Sequence, residues 1–250
     1  MDDDLPPPIP AATLILMRPS PGGAPDILFI ERAQTMAFAA GALVFPGGRI
    51  DPEDHEAAAG LGPELDDGAA RVAAVRETIE ETGIAPLLPA DADGGALRAG
   101  LAAGEPFAAL LARFGLALDL SGLTPFARWC PNFREARRFD TLFYLAEAPA
   151  DAPAPRADDA EAVRSFWAPA AHVLADVEAG RAHAIFPTRR NLERLARFAS
   201  FDEARADAAL HPVAKITPWV EERGGRRFVC IAEGIGYPVT AEPYESARRR

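Results

Sequence analysis

Apolar residues in this chain come in short runs broken by proline, glycine and aspartate. Residues 13–17, Thr-Leu-Ile-Leu-Met, form a β-rich run, and 26–32 form a second. Pro19, Pro21, Gly22, Gly23 and Pro25 stand between them, so the pair predicts a hairpin with a long loop. A third run, 42–45, is stopped by Pro46-Gly47-Gly48. Residues 51–68 are acidic and rich in Ala, Gly and Pro, which reads as a loop or a short helical excursion. Over 69–82 the apolar period becomes helical, and Gly83 supplies the stop. Residues 86–122 mix Pro/Gly breaks with two short amphipathic helices, at 96–103 and 106–114. Strands are expected at 123–130, 138–146 and 163–167, with a Pro/Asp/Ala linker over 148–160. Helices follow at 169–179 and 188–198, the second with Leu192, Leu195 and Phe198 on one stripe. Residues 214–221 and 226–232 flank Gly224-Gly225 and read as a hairpin. Strands and helices interleave without a regular βαβ period or an internal repeat, which predicts an α/β (α+β) architecture, an α/β/α sandwich around a mixed sheet.

Composition narrows the function classes. With 250 residues, 49% hydrophobic and 25% charged, the chain suits one large globular domain. We expect a leader over 1–10 and a single domain over 11–250. The net charge of −11 argues against sequence-independent binding to nucleic acid, which needs phosphate neutralisation. Lys215 is the only lysine among 26 basic residues, a bias we ascribe to coding composition. Cys130 and Cys230 form no C-x-x-C pair and read as buried hydrophobes, so a cysteine-type zinc site is excluded. The start is acidic, and the first apolar run spans only residues 11–17, far short of the ~20 residues of a membrane span. A cytoplasmic protein without membrane contact is the expectation.

The chemistry concentrates in Arg76-Glu77-Thr78-Ile79-Glu80-Glu81-Thr82-Gly83-Ile84. At ~100° per residue, Val72, Val75 and Ile79 share one face of a helix, and Glu77, Glu80 and Glu81 share an arc of about 100° opposite it. Like charges at i,i+3 and i,i+4 destabilise a bare helix by roughly 0.2–0.5 kcal/mol per pair. A hard divalent cation, which binds carboxylate oxygens and bridges them to phosphates, would compensate. Arg76 stands four residues before Glu80, placed for a salt bridge. Upstream, Gly47-Gly48 lets the backbone approach a phosphate or a metal closely.

This pattern resembles the Nudix box, G-x5-E-x7-R-E-U-x-E-E-x-G-U with U aliphatic. The R-E-x-x-E-E-x-G core is complete, and Phe45-Pro46-Gly47-Gly48 precedes it. Thr78 replaces the first aliphatic U. Counted from Gly48 the first acidic position falls on Asp54, and from Gly47 on Glu53. Either way about 14 extra residues separate it from Arg76. The resemblance implies a Nudix-type α/β/α sandwich, with a box insertion over about 55–68 and a helical insertion over about 86–122. It also implies hydrolysis of a nucleoside diphosphate linked to another group, with Mg²⁺ or Mn²⁺ as cofactor. Glu77, Glu80, Glu81 and the Gly47 backbone are the implied metal-binding groups, and Arg76 completes the catalytic helix. The base is one of these glutamates or an acid from another loop, for which Glu161, beside Asp158 and Asp159, is the candidate.

Within the family, the segment from Ile30 to Asp51, with Arg32, Met36, Gly41 and Phe45-Pro46-Gly47-Gly48, resembles coenzyme A diphosphatases, especially the type with an interrupted box. Arg138 to Tyr144 and Pro187-Thr188 with the helix after them resemble the same branch. Coenzyme A or an acyl derivative is the implied substrate, with ADP-ribose or a dinucleotide as the rival and a non-catalytic nucleotide-binding regulator as the rival of another class. Arg32, Arg49, Arg137 and Arg138 are the candidates for the phosphates, since the guanidinium fork suits phosphate. The expected partners are this small nucleotide-derived substrate and a second copy of the chain in a homodimer. His55, His172, His183 and His211 make no ligand motif.

Overall fold

The computed structural model describes residues 6–36, 39–61, 66–132, 138–148, 152–157 and 162–247. A mixed sheet lies between two helical layers. Its strands are β1 (Ile9–Arg18), β2 (Asp26–Arg32), β3 (Leu43–Val44), β4 (Gly47–Arg49), β5 (Thr124–Trp129), β6 (Phe139–Glu147), β7 (Ala162–Pro169) and β8 (Lys215–Ile216). The order is β3-β2-β1-β6-β5-β8, with β7 also on β2 and β4 also on β1. The β1·β6 and β5·β8 pairs are parallel and the others antiparallel.

Strand alternation sorts side chains into two cores. Leu14 and Leu16 of β1, Leu28 of β2 and Tyr144 and Ala146 of β6 face one core. Helices α1 (Pro52–Gly60), α2 (Gly68–Thr82), α3 (Gly94–Ala102) and α4 (Phe107–Phe114) close it, through Ala57, Val72, Val75, Ile79, Leu97 and Leu110. Ile15, Met17, Ile27, Phe29, Phe143 and Leu145 face the other. That core is covered by α5 (Ala170–Glu178), α6 (Phe186–Leu195) and α7 (Phe201–Leu210). A small sheet of β9 (Trp219–Arg223), β10 (Arg226–Cys230) and β11 (Ala241–Pro243), with the short α8 (Tyr244–Ala247), completes the described chain. This is the sandwich expected from the sequence. Both cysteines are buried and unbridged, and burial pushes both thiols up.

Some elements differ from the sequence reading. β1 begins at Ile9, inside the expected leader, because the Ile9 N–H donates to Arg138 O (2.8 Å) and extends the parallel ladder. The strand expected over 214–221 is two strands: Pro218 has no N–H for a ladder, β8 joins the large sheet and β9 the small one. The helix expected over 188–198 starts at Phe186, with Pro187 in its first turn, and ends at Leu195. Helix α7 has no counterpart in the apolar pattern. The first half of the 55–68 stretch lies in α1, where Ala57 is buried against α2.

Helix α6 carries a buried ionic group that makes a testable claim. Arg190, 1% exposed, donates to Glu193 (2.6 Å) and to Glu242 of β11 (3.0 Å), and Arg189 also bonds Glu242. Burial lowers Arg190 and pushes Glu193 up to about 7, so desolvation outweighs the pair's attraction. A carboxyl raised above its unfolded value of 4.5 contributes stability below that value, and the contribution is lost as pH rises through about 7. Glu193→Gln should therefore match wild type at pH 4 and exceed it by about 1–3 kcal/mol at pH 8. Urea unfolding of both proteins at the two pH values measures this, and a pH-independent difference would refute it.

Candidate active site

Helix α2 forms where the sequence predicts, with Val72, Val75 and Ile79 wholly buried. Thr78 takes the aliphatic position of the pattern. Its side chain is buried and its hydroxyl donates to Ala74 O (2.7 Å), so the core accepts it. Gly83 ends the helix in the left-handed region, its N–H on Ile79 O. Strand β4 lies beside α2. A Cβ on Gly48 would overlap the Glu77 carboxylate, and one on Gly47 would overlap Ala12 O of β1. Glycine at 47 therefore allows the close approach of β4 to β1, and glycine at 48 leaves the Glu77 carboxylate its place beside the β4 backbone.

Arg76 organises the polar stripe. Its Nε donates to Asp54 Oδ1 (2.8 Å), Nη2 to Asp54 Oδ2 (2.9 Å) and Arg49 O (3.1 Å), and Nη1 to Glu77 Oε1 (2.9 Å) and Glu80 Oε1 (3.2 Å). All five N–H groups of the guanidinium are engaged. Asp51 stands 3.7 Å from Nη2. Asp54, 1% exposed, also accepts from the Asp51 N–H (2.8 Å), so both its oxygens are used. Of the two acids the sequence left open, Asp54 joins the network and Glu53 is exposed on α1. Glu81 is buried and accepts from the Gly47 N–H (2.9 Å).

The charge of the cluster is under-compensated. One guanidinium faces Asp54, Glu77 and Glu80, with Asp51 close by. Burial pushes Glu77 up to about 7, against the pull of Arg76, and Glu80 adds to the rise. Glu80 is likewise raised by burial. Arg76 is held above its ordinary value: burial opposes its charge, but Asp54, Glu77 and Glu80 prevail. Among the described residues no three His, Cys, Asp or Glu side chains are grouped to enclose an ion. Glu77 and Glu80 turn instead to Arg76, and Glu81 to Gly47. The fit to a divalent cation lies in the donor chemistry: adjacent carboxylates, oxygen only, with excess negative charge.

The other candidates are placed more loosely. Arg49 meets Arg76 through its carbonyl while its side chain is exposed. Arg32 ends β2, its N–H on Ala42 O (3.0 Å), and is partly buried. Arg138 immediately precedes β6, at the end of the sheet where β1 pairs β4. Arg137 and Glu161, with Asp158 and Asp159, lie outside the described residues. The hydrogen-bonded carbonyl of Arg49 was not legible in the sequence, since a backbone acceptor leaves no pattern. Among the described residues no helix is long and apolar enough to cross a membrane.

The chain is similar to the crystal structure of a NUDIX hydrolase from Alicyclobacillus acidocaldarius, at 32% identity and a TM-score of 0.71, over 80% of this chain and 96% of that one. The chain belongs to the Nudix hydrolase family. It is therefore an enzyme of that class, and the R-E-x-x-E-E-x-G core on α2 is its Nudix helix. No protein-family model matches the chain. Two further solved structures are similar at 16% identity. They are the NUDIX domain of Shewanella oneidensis NrtR, complexed with ADP ribose, and the MutT protein of Methanosarcina mazei Go1. Their TM-scores are 0.43 and 0.42; the first match covers 78% of this chain and 90% of that one, the second 76% and 94%. Likeness at that level carries nothing about activity.

Proposed function

We propose that this Nudix hydrolase cleaves the pyrophosphate bond of a nucleoside diphosphate linked to another group, and that the substrate is coenzyme A or an acyl derivative. The observation that carries the first part is the under-compensated carboxylate cluster between α1 and α2, where, among the described residues, Arg76 alone serves Asp54, Glu77 and Glu80. Glu77, Glu80 and Glu81 would hold Mg²⁺ or Mn²⁺ beside the Gly47 backbone. When bound, such an ion supplies Lewis-acid stabilisation of phosphoryl oxygens and lowers the pKa of water. Arg76 orients Glu77 and Glu80 and keeps them apart from the apolar core. Glu161 is our candidate for the group that takes the proton of the attacking water, through its carboxylate. Arg32, Arg49, Arg137 and Arg138 are assigned to the phosphates.

The coenzyme A reading is supported by the segment from Ile30 to Asp51 and by the longer spacing between Asp54 and Arg76. An interrupted box of this kind marks the branch that the segment resembles. Net charge adds a reason for specific contacts: at −11 the protein attracts no nucleotide by diffuse field, so an extra 3′-phosphate must meet fixed arginines. The products would be a phosphopantetheine and adenosine 3′,5′-bisphosphate. The expected outcome is a kcat/KM for coenzyme A about tenfold or more above that for its 3′-dephospho form, the scale of one lost charge-assisted contact. Competition between the two with Mg²⁺ or Mn²⁺ measures it. Preference for ADP-ribose or a dinucleotide over both would overturn the substrate and leave the pyrophosphatase reading standing.

A further inference from the structure

Helix α2 ends at Thr82, one residue past Glu81, and Gly83 turns the chain away. Two distant pieces of chain meet at this end. The N–H of Arg156 donates to Thr82 O (2.8 Å), so the segment 152–157 is tied to the last turn of the Nudix helix. The first turn of α3, in the helical insertion, approaches from elsewhere. A Cβ on Gly94 would overlap the Gly83 carbonyl oxygen, so the approach depends on residue 94 being glycine. Four residues further along α3, Arg98 crosses Gly83, its Cδ 3.9 Å from where a Gly83 Cβ would stand. Its Nη1 donates to Arg156 O (2.8 Å) and its Nη2 to Ala157 O (3.0 Å).

These contacts form a closed ring. Thr82 holds Arg156, Arg98 holds Arg156 and Ala157, and α3 is seated on Gly83. Two donors of one planar guanidinium on successive carbonyls constrain direction as well as distance, which a single ammonium does not. The Arg156 N–H at the same time satisfies a C-terminal helix carbonyl that has no partner within the helix.

We propose that Arg98 is a positioning residue for the hydrolysis. By clamping Arg156 and Ala157 to the end of the Nudix helix, it fixes the last turn of that helix, the turn that carries Glu80 and Glu81. The helical insertion then serves the reaction and not only the fold. This inference rests on the reading of Glu77, Glu80 and Glu81 as the reactive centre.

Arg98 is partly exposed, so its replacement leaves the core intact. The test compares wild type, Arg98→Met and Arg98→Lys by two readouts: kcat and KM on the best phosphoanhydride substrate with Mg²⁺, and amide exchange at Arg156. Misplacement by about 1 Å can cost ~10²-fold in rate, so Arg98→Met should lose ~10- to 100-fold in kcat, with KM within about threefold. The Arg156 amide should exchange at least ~10-fold faster as the clamp opens. Arg98→Lys, which keeps the charge and one donor group, should fall between. Wild-type kcat in Arg98→Met overturns the proposal, even if exchange is faster. Unchanged exchange overturns it as well, because the clamp is then not what holds the segment. If wild type turns over no phosphoanhydride, the reading of the reactive centre fails and the catalytic role of Arg98 falls with it. The exchange data alone then still decide whether the clamp exists.

Discussion

Glutamine in place of Glu80 is expected to lower kcat by about 10²–10³-fold while the protein stays folded. Glu80 is the member of the cluster with the least structural duty. Its side chain is 35% exposed, and its hydrogen-bond partner among the described residues is Arg76. Glutamine keeps the shape and an acceptor for Arg76 but removes one negative charge. If Glu80 helps to hold a divalent cation that stabilises several kcal/mol of developing charge, the loss appears in turnover and in metal affinity. Glu81→Gln should behave alike, since an amide oxygen can still accept from the Gly47 N–H seen at 2.9 Å. Steady-state kinetics over a Mg²⁺ series, with thermal melts on the same samples, separate chemistry from folding. Near wild-type turnover in both variants would remove these glutamates from the mechanism.

The same residues show how far the sequence could be read. Strand alternation in 13–17 and 26–32 anticipates the two cores, because a strand buried on both faces sends successive side chains to opposite layers. The α2 carboxylate stripe was legible from helical spacing alone. Helix α7 was not, because its buried positions, Ala204 and Ala208, are too small to mark an apolar face. Its start did carry a signal: the Ser200 hydroxyl accepts from the Glu203 N–H, and the Glu203 carboxylate accepts from the Ala199 N–H. Strand β4, Gly47–Arg49, has no apolar period at all, and only its pairing with β1 makes it a strand. The choice between Glu53 and Asp54 turned on which side of α1 faces Arg76, a matter of tertiary packing. The Arg98 clamp was invisible for the same reason as the Arg49 contact: its acceptors are main-chain carbonyls.

The second large effect concerns Arg76 and Asp54, and it falls on stability. Arg76 is buried, and Asp54 is 1% exposed with both oxygens bonded to it. Arg76→Met leaves the Asp54 carboxylate in the interior with the Asp51 N–H as the remaining partner of its side chain among the described residues, and an uncompensated buried charge costs about 3–5 kcal/mol. Asp54→Leu removes the guanidinium's two bonds to Asp54 but leaves Glu77 and Glu80 on Nη1, so its cost should be smaller, on the order of 2 kcal/mol. Combining the two replaces the ion pair by apolar groups, and such replacements are often close to neutral. The double variant should therefore recover at least about 2 kcal/mol relative to Arg76→Met alone, a favourable coupling between residues in contact. Turnover should not recover with it, since Glu77 and Glu80 have lost the group that orients them. Urea denaturation of the four proteins, with kcat measured on each, tests both halves. A cost below about 1 kcal/mol for Arg76→Met would mean that water reaches Asp54 when Arg76 is gone. Restored turnover in the double variant would mean that Arg76 supports the helix–helix contact between α1 and α2 but does not orient the carboxylates.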